Sequence, residues 1–218
     1  MTALLALAAA YAALMLWRYG RRGVLFLAPG LLRLRSDAAA PPATVLQRQA
    51  GEELESLGFS RLGARSEEGP LGGLGLASDA WVNEGRGTYA DVFEQAPRAG
   101  AGPRLYFLSV FPDGAVALTA NHPRRARSDG AVEVASLVGA GAAPTFEAHL
   151  RTLGEMVPRH GAPAAAPDLA VREKAARTFY RRAGNRELRA RFLAYFLNAL
   201  LAALILGGAL HMLLLRNR

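Results

Sequence analysis

The chain has 218 residues, a formal net charge of +8 and no cysteine, which excludes disulfides, thiolate nucleophiles and Cys-based metal centres. Its charge is segregated: residues 43–160 carry 11 arginines against 14 acids, whereas residues 18–42 and 161–191 are basic. A nucleic-acid binder would carry its basic patch on the globular part, so this distribution argues against nucleic acid as a partner and assigns the arginines to the flanks of apolar segments.

Taken in chain order, the sequence opens on an apolar run, ALLALAAAYAALMLW, over residues 3–17. Extended to residues 1–19 it gives an anchor of about 19 residues and roughly 28 Å as a helix. No Lys or Arg precedes the run, and Arg18, Arg21 and Arg22 follow it, which is the pattern of an uncleaved signal anchor rather than a cleaved signal peptide. A shorter apolar run at residues 23–32 contains Pro29 and Gly30; it is too short to span, and its expected place is the interface or the domain surface. Residues 20–43 thus form a basic juxtamembrane segment ending in a Pro- and Ala-rich linker.

Residues 44–160 are the expected globular domain. Thr44 and Gln47 fit a capping box, followed by Leu46, Ala50, Leu54 and Leu57 at helical spacing, with Gly58 as the stop. Short strands are expected at residues 59–65, 81–84, 88–94, 105–111, 115–120 and 132–137. The clearest pair is LYFLSVF, Pro112-Asp113-Gly114 and the return strand, a hairpin with matched turn chemistry. Gly85-Arg86-Gly87 is a second tight turn. A closing helix is expected at residues 146–157, capped by Thr145, with Phe146, Leu150, Leu153 and Val157 as its apolar stripe. The expected fold class is therefore α+β, an antiparallel β-meander flanked by two helices on one sheet face, with a transmembrane helix at each end.

Residues 161–191 read as a linker, GAPAAAPD, and a basic amphipathic helix at residues 168–183 with Leu169, Val171, Ala175 and Phe179 on its apolar side. Its expected place is the inner leaflet, as a collar. Residues 192–215, FLAYFLNALLAALILGGALHMLLL, contain no Asp, Glu, Lys or Arg; as a helix they would span about 36 Å. Arginine follows the first anchor and precedes the second, so both anchors put residues 20–191 on the cytoplasmic side. The expected location is a bacterial inner membrane.

Candidate chemistry is sparse. Asn121 and His122, at a strand end beside Arg124, Arg125 and Arg127, are the most site-like group: His122 as a proton carrier, the arginines as an anion clamp. Ordinary loop chemistry accounts for the same residues. His149 lies on the closing helix as a second acid/base candidate or a core-edge histidine. No histidine spacing supports a metal site, no cofactor is implied, and the glycine-rich stretch at residues 69–75 lacks the G-x-G-x-x-G pattern and its strand–helix setting. In the second anchor Ala199, Ala203, Gly207 and His211 recur every four residues, with Asn198 beside them. Such a stripe lets membrane helices approach closely, through a second copy or a membrane-protein partner.

The segment SVFPDGAVALTANHP, followed by FEAHLRTLGEM, resembles segments of bacterial membrane-tethered proteins with a small α+β domain. The resemblance covers roughly half the chain and implies no activity. The function expected from the sequence is a non-enzymatic, membrane-anchored module that presents a small cytoplasmic domain for protein or ligand binding. The alternative is a membrane-surface enzyme using His122 or His149 as acid/base.

Overall fold

A computed structural model describes residues 2–41, 44–70, 75–93 and 103–216. Residues 71–74 of the glycine-rich stretch, residues 42–43 of the first linker and Glu94 lie outside them. The chain divides into two compact units, one of Met1–Arg33, Glu68–Gly75 and Asn185–Arg218, the other of Leu34–Glu67 and Leu76–Gly184.

The first unit is a pair of long helices, α1 (Thr2–Leu27) and α5 (Asn185–Arg216). Both are long and apolar enough to cross a membrane. Each turns a narrow stripe inward: Leu5, Ala9, Ala12, Leu16, Tyr19, Gly23 and Phe26 on α1, and Phe192, Tyr195, Ala199, Ala202, Leu206, Ala209 and Leu213 on α5. The steps alternate between three and four residues, the 3.5-residue period of a coiled-coil seam. Phe26 stacks on Phe196 at 4.8 Å, and Tyr19 meets Tyr195 at 6.2 Å. A Cβ on Gly23 would lie 2.9 Å from the Phe196 Cα, so only glycine permits the approach there. These contacts join the end of α1 to the start of α5, and burial continues to Ala9 and Ala209; the helices therefore run antiparallel. The apolar run expected to stop near residue 19 continues in helix to Leu27. A 3-10 turn at Pro29–Leu31 follows.

The second unit is built on an eight-stranded sheet in the order β1-β2-β3-β4-β5-β6-β8-β7. Its strands are β1 (Arg33–Asp37), β2 (Ser60–Glu68), β3 (Gly75–Asn83), β4 (Thr88–Phe93), β5 (Leu105–Val110), β6 (Val116–Ala120), β7 (Arg127–Ser128) and β8 (Val132–Ser136). The expected hairpin is β5–β6: Gly114 takes φ +82° and the Asp113 carboxylate accepts from the Ala115 N–H at 2.9 Å. Asn83 accepts from Arg86 N, and Gly87 takes φ +59°, closing the β3–β4 turn. The meander ends at β6. The chain passes to the edge as β7, turns at Asp129–Gly130 and returns as β8, parallel to β6 and antiparallel to β7.

Alternation along the strands sends side chains to two faces. On one face α2 (Val45–Ser56) and α3 (Ala142–His160) cover Trp81, Ala90, Val92, Leu105, Phe107 and Ala117. On the other, α4 (Leu169–Phe179) covers Val82, Tyr89, Tyr106, Leu108, Val116 and Leu118. The sheet is mostly antiparallel and the class is α+β, but helices lie on both faces, not on one. The α2 capping box is formed as expected, Thr44 Oγ1 accepting from Gln47 N at 3.2 Å and Gln47 Oε1 accepting from Thr44 N at 3.1 Å. Two differences concern the helices. α3 begins at Ala142, with Gly141 as its N-cap. The apolar side of α4 rests on the sheet rather than standing free as a collar: Ala175, Ala176 and Phe179 are buried in the core, and Val171 is the exposed one.

Residues 161–168 are docked too. The Tyr89 hydroxyl accepts from Ala166 N at 3.0 Å and donates to Ala166 O at 3.3 Å, and a Cβ on Gly87 would stand 2.1 Å from the Pro163 carbonyl oxygen. The Pro-Ala segment thus lies across the sheet as a strap leading into Asp168, which caps α4 at Ala170 N.

Candidate functional site

The most polar place in the domain core is the face beneath α4. Asp91, in the middle of β4, is fully buried. Its partners come from three elements. Arg65 on β2 donates through Nη1, and Tyr106, directly opposite Asp91 in the β4–β5 register, donates through its hydroxyl. Arg172 on α4 donates from Nη2 at 2.7 Å and from Nε at 3.3 Å. The same Nη2 reaches the Tyr106 oxygen at 3.0 Å, and the Arg172 guanidinium lies 5.3 Å from the Tyr89 ring centroid. Glu67 stands 3.6 Å from Arg65 and accepts from the Tyr180 hydroxyl at 2.6 Å. Two arginines and two carboxylates balance inside one shell of tyrosines.

Burial alone would push the Asp91 carboxyl up, but Arg172 and Arg65 outweigh it and hold it below the usual carboxylate range. Burial would weaken the Arg65 guanidinium as a base, yet Asp91, Tyr106 and Glu67 leave its pKa raised. Tyr106 is pushed up to about 12 by burial and by Asp91, and Tyr180 rises for the same reason with Glu67 as its neighbour. None of these four sits near neutrality, where a general acid or base works best. The arrangement fixes a helix.

His149 lies beneath the opposite face. It is fully buried, with Nε2 at 3.1 Å from Ser109 Oγ and Nδ1 at 3.1 Å from Thr119 Oγ1. Ser109 in turn meets Thr88 at 2.9 Å. Burial lowers its pKa to about 3, so it stays neutral between two hydroxyls. Of the two histidines weighed as acid/base groups, this one is sealed in the core rather than at its edge.

The Asn121 group does not converge on one point. Asn121 is spent on the backbone: it accepts from Leu105 N at 2.8 Å and donates to Pro103 O at 2.7 Å and Ala140 O at 3.2 Å. His122 is half-buried with its ring edge-on to Phe93 at 5.7 Å. Arg124 lies over Tyr106 at 5.3 Å and Phe179 at 6.0 Å. Arg127 pairs with Asp129 and donates to the Arg182 carbonyl at 2.8 Å, while Arg125 is exposed. Of the helix-association residues, Ala199 lies in the α1–α5 seam, whereas Asn198, Ala203, Gly207 and His211 are exposed.

Other carboxylates are also engaged. Arg61 clamps Asp79 through both oxygens at 2.6–3.0 Å, with the Trp81 indole donating at 3.1 Å. His160 bridges Asp113 and the Gly130 carbonyl, each at 2.7 Å, tying the β5–β6 turn to the β7–β8 turn. Among the described residues no three His, Asp or Glu side chains gather to hold a metal ion.

Arg65 and Arg172 carried no sequence signal as core residues. Arg172 lies one position from Val171 in a run of surface-type charges, and only its place three residues before Ala175 on the apolar side of α4 hinted at burial. Comparison with protein-family models, curated proteins and solved structures gives no match.

Proposed function

We propose that this chain is a membrane-anchored, non-enzymatic binding module. In this reading α1 and α5 cross the bilayer as an antiparallel hairpin, with the arginine-flanked domain on the cytoplasmic side. One observation carries the membrane part. The two helices satisfy each other only along a narrow seam, leaving Leu4, Leu7, Leu204, Ile205 and Leu214 about half to two-thirds exposed. An apolar band on that scale is not tolerated in water but is the ordinary outer surface of a lipid-facing hairpin. Tyr195, which meets Tyr19 and accepts from Arg22, suits an interfacial anchor. Residues 196–215 beyond it then span roughly 30 Å, the thickness of a hydrocarbon core.

The binding part rests on chemistry already committed elsewhere. Asp91, Asp79 and His149 are held in internal bonds, which favours a rigid presented surface over an acid/base centre. The enzyme alternative loses one of its two histidines to the core, and His122 remains its only candidate. The test is extraction of membranes with alkaline carbonate. An integral hairpin stays in the pellet, whereas release into the supernatant contradicts the proposal.

A further inference from the structure

We infer that Arg18 and Arg21 of α1 bind the phosphate of an anionic phospholipid, drawn down beside the helix hairpin; the inference rests on the membrane reading above. The two arginines are i and i+3 on α1 and share a face, with Arg22 at its edge. Arg22 is engaged with the neighbouring helix: Nη1 donates to the Tyr195 hydroxyl at 3.1 Å, and the guanidinium lies over the Tyr195 ring at 5.2 Å. Arg21 differs. Its Nε is shielded by the surrounding helix yet has no hydrogen-bond partner among the described residues. A shielded guanidinium donor left unmatched is costly.

No carboxylate on α1 can supply the acceptor, because residues 1–36 contain no Asp or Glu, and α5 has only Glu187. Depth makes the need sharper. Gly23 is level with Phe196. Arg18 therefore lies about five residues into the apolar length of the hairpin, and Arg191 about five residues out of it, a difference of roughly 15 Å along the axis. Guanidinium groups at that depth are stabilised by extending toward the interface and by drawing phosphate and water inward. A planar fork of donors matches a phosphodiester bidentately. Exposed Leu14 and Trp17, one turn deeper, offer apolar surface to the acyl chains of the same lipid. A free phosphate would use only the donors, whereas a phospholipid uses both features.

The test reconstitutes the full chain in nanodiscs of phosphatidylcholine and phosphatidylglycerol at 3:1, then counts the lipids retained after mild detergent release by native mass spectrometry. The wild type keeps phosphatidylglycerol in preference to phosphatidylcholine. Arg18→Gln with Arg21→Gln lowers that preference about tenfold or more, while incorporation and the circular dichroism of the helices are unchanged. Equal retention of the two lipids by the wild type, or an unaltered preference in the double variant, overturns the inference. Failure of the wild type to incorporate overturns the membrane reading beneath it, and with it the inference. Inorganic phosphate competing the lipid away at millimolar concentration also overturns it, in favour of a simple anion site.

Discussion

At the scale of single residues, the domain depends on a few buried polar side chains whose partners come from distant strands and helices. Removing Asp91 would leave Arg172 without its carboxylate and Arg65 with Glu67 alone. Breaking a buried pair in this way costs about 3–5 kcal/mol, so Asp91→Ala is expected to abolish or nearly abolish cooperative unfolding of the domain, followed in detergent by its near-ultraviolet circular dichroism. Arg172→Met is milder, since Asp91 keeps Arg65 and Tyr106, and apolar replacements of buried ions are often tolerated. His149 sets a pH dependence. Its pKa falls from 6.5 in the unfolded chain to about 3 in the fold. The unfolded chain therefore binds the extra proton below pH 6.5, and the stabilisation present above that value drains away as pH falls. The expected slope is about 1.4 kcal/mol per pH unit between pH 6 and 4, and His149→Gln should flatten it in urea titrations; an unchanged slope would place the protonation elsewhere. Arg172 and His149 also mark what the sequence could not disclose. A charge in a basic run looks like surface, and a lone histidine on a helix looks the same whether it meets water or two hydroxyls.

At the scale of elements, local signals were the readable ones. Thr44 and Gln47 announced the start of α2, and Pro112-Asp113-Gly114 announced the β5–β6 hairpin, because both depend on neighbours within four residues. The parallel pairing of β6 with β8 and the docking of α4 depend on contacts between distant segments, to which periodicity is blind. The strap at residues 161–168 is the sharpest case: its Pro-Ala composition suggested a linker between units, yet Tyr89 holds both polar groups of Ala166. Tyr89→Phe should cost about 1 kcal/mol for each hydrogen bond lost and speed hydrogen exchange at the Ala166 amide well beyond that of the β5 amides. Unchanged protection there would mean that the strap is held by packing alone.

At the scale of the whole molecule, the apolar character of both ends was plain from composition, whereas their pairing was not. The sequence drew attention to Ala199, Ala203, Gly207 and His211 at four-residue spacing, but the seam follows Ala199, Ala202, Leu206 and Ala209, because two helices that wrap each other mesh at 3.5 residues rather than 4. Gly23→Leu would force a branched side chain against the Phe196 backbone. It is expected to part the helices and reduce proximity cross-linking between α1 and α5 severalfold, leaving the domain's own unfolding transition intact.

The absence of native cysteine makes one measurement on the whole molecule decisive. Ser128→Cys, on the exposed β7 edge of the domain, is treated with a membrane-impermeant thiol reagent in intact cells and again after permeabilisation. The account predicts no labelling in intact cells and full labelling once the membrane is opened; labelling of Ser128→Cys in intact cells would contradict it.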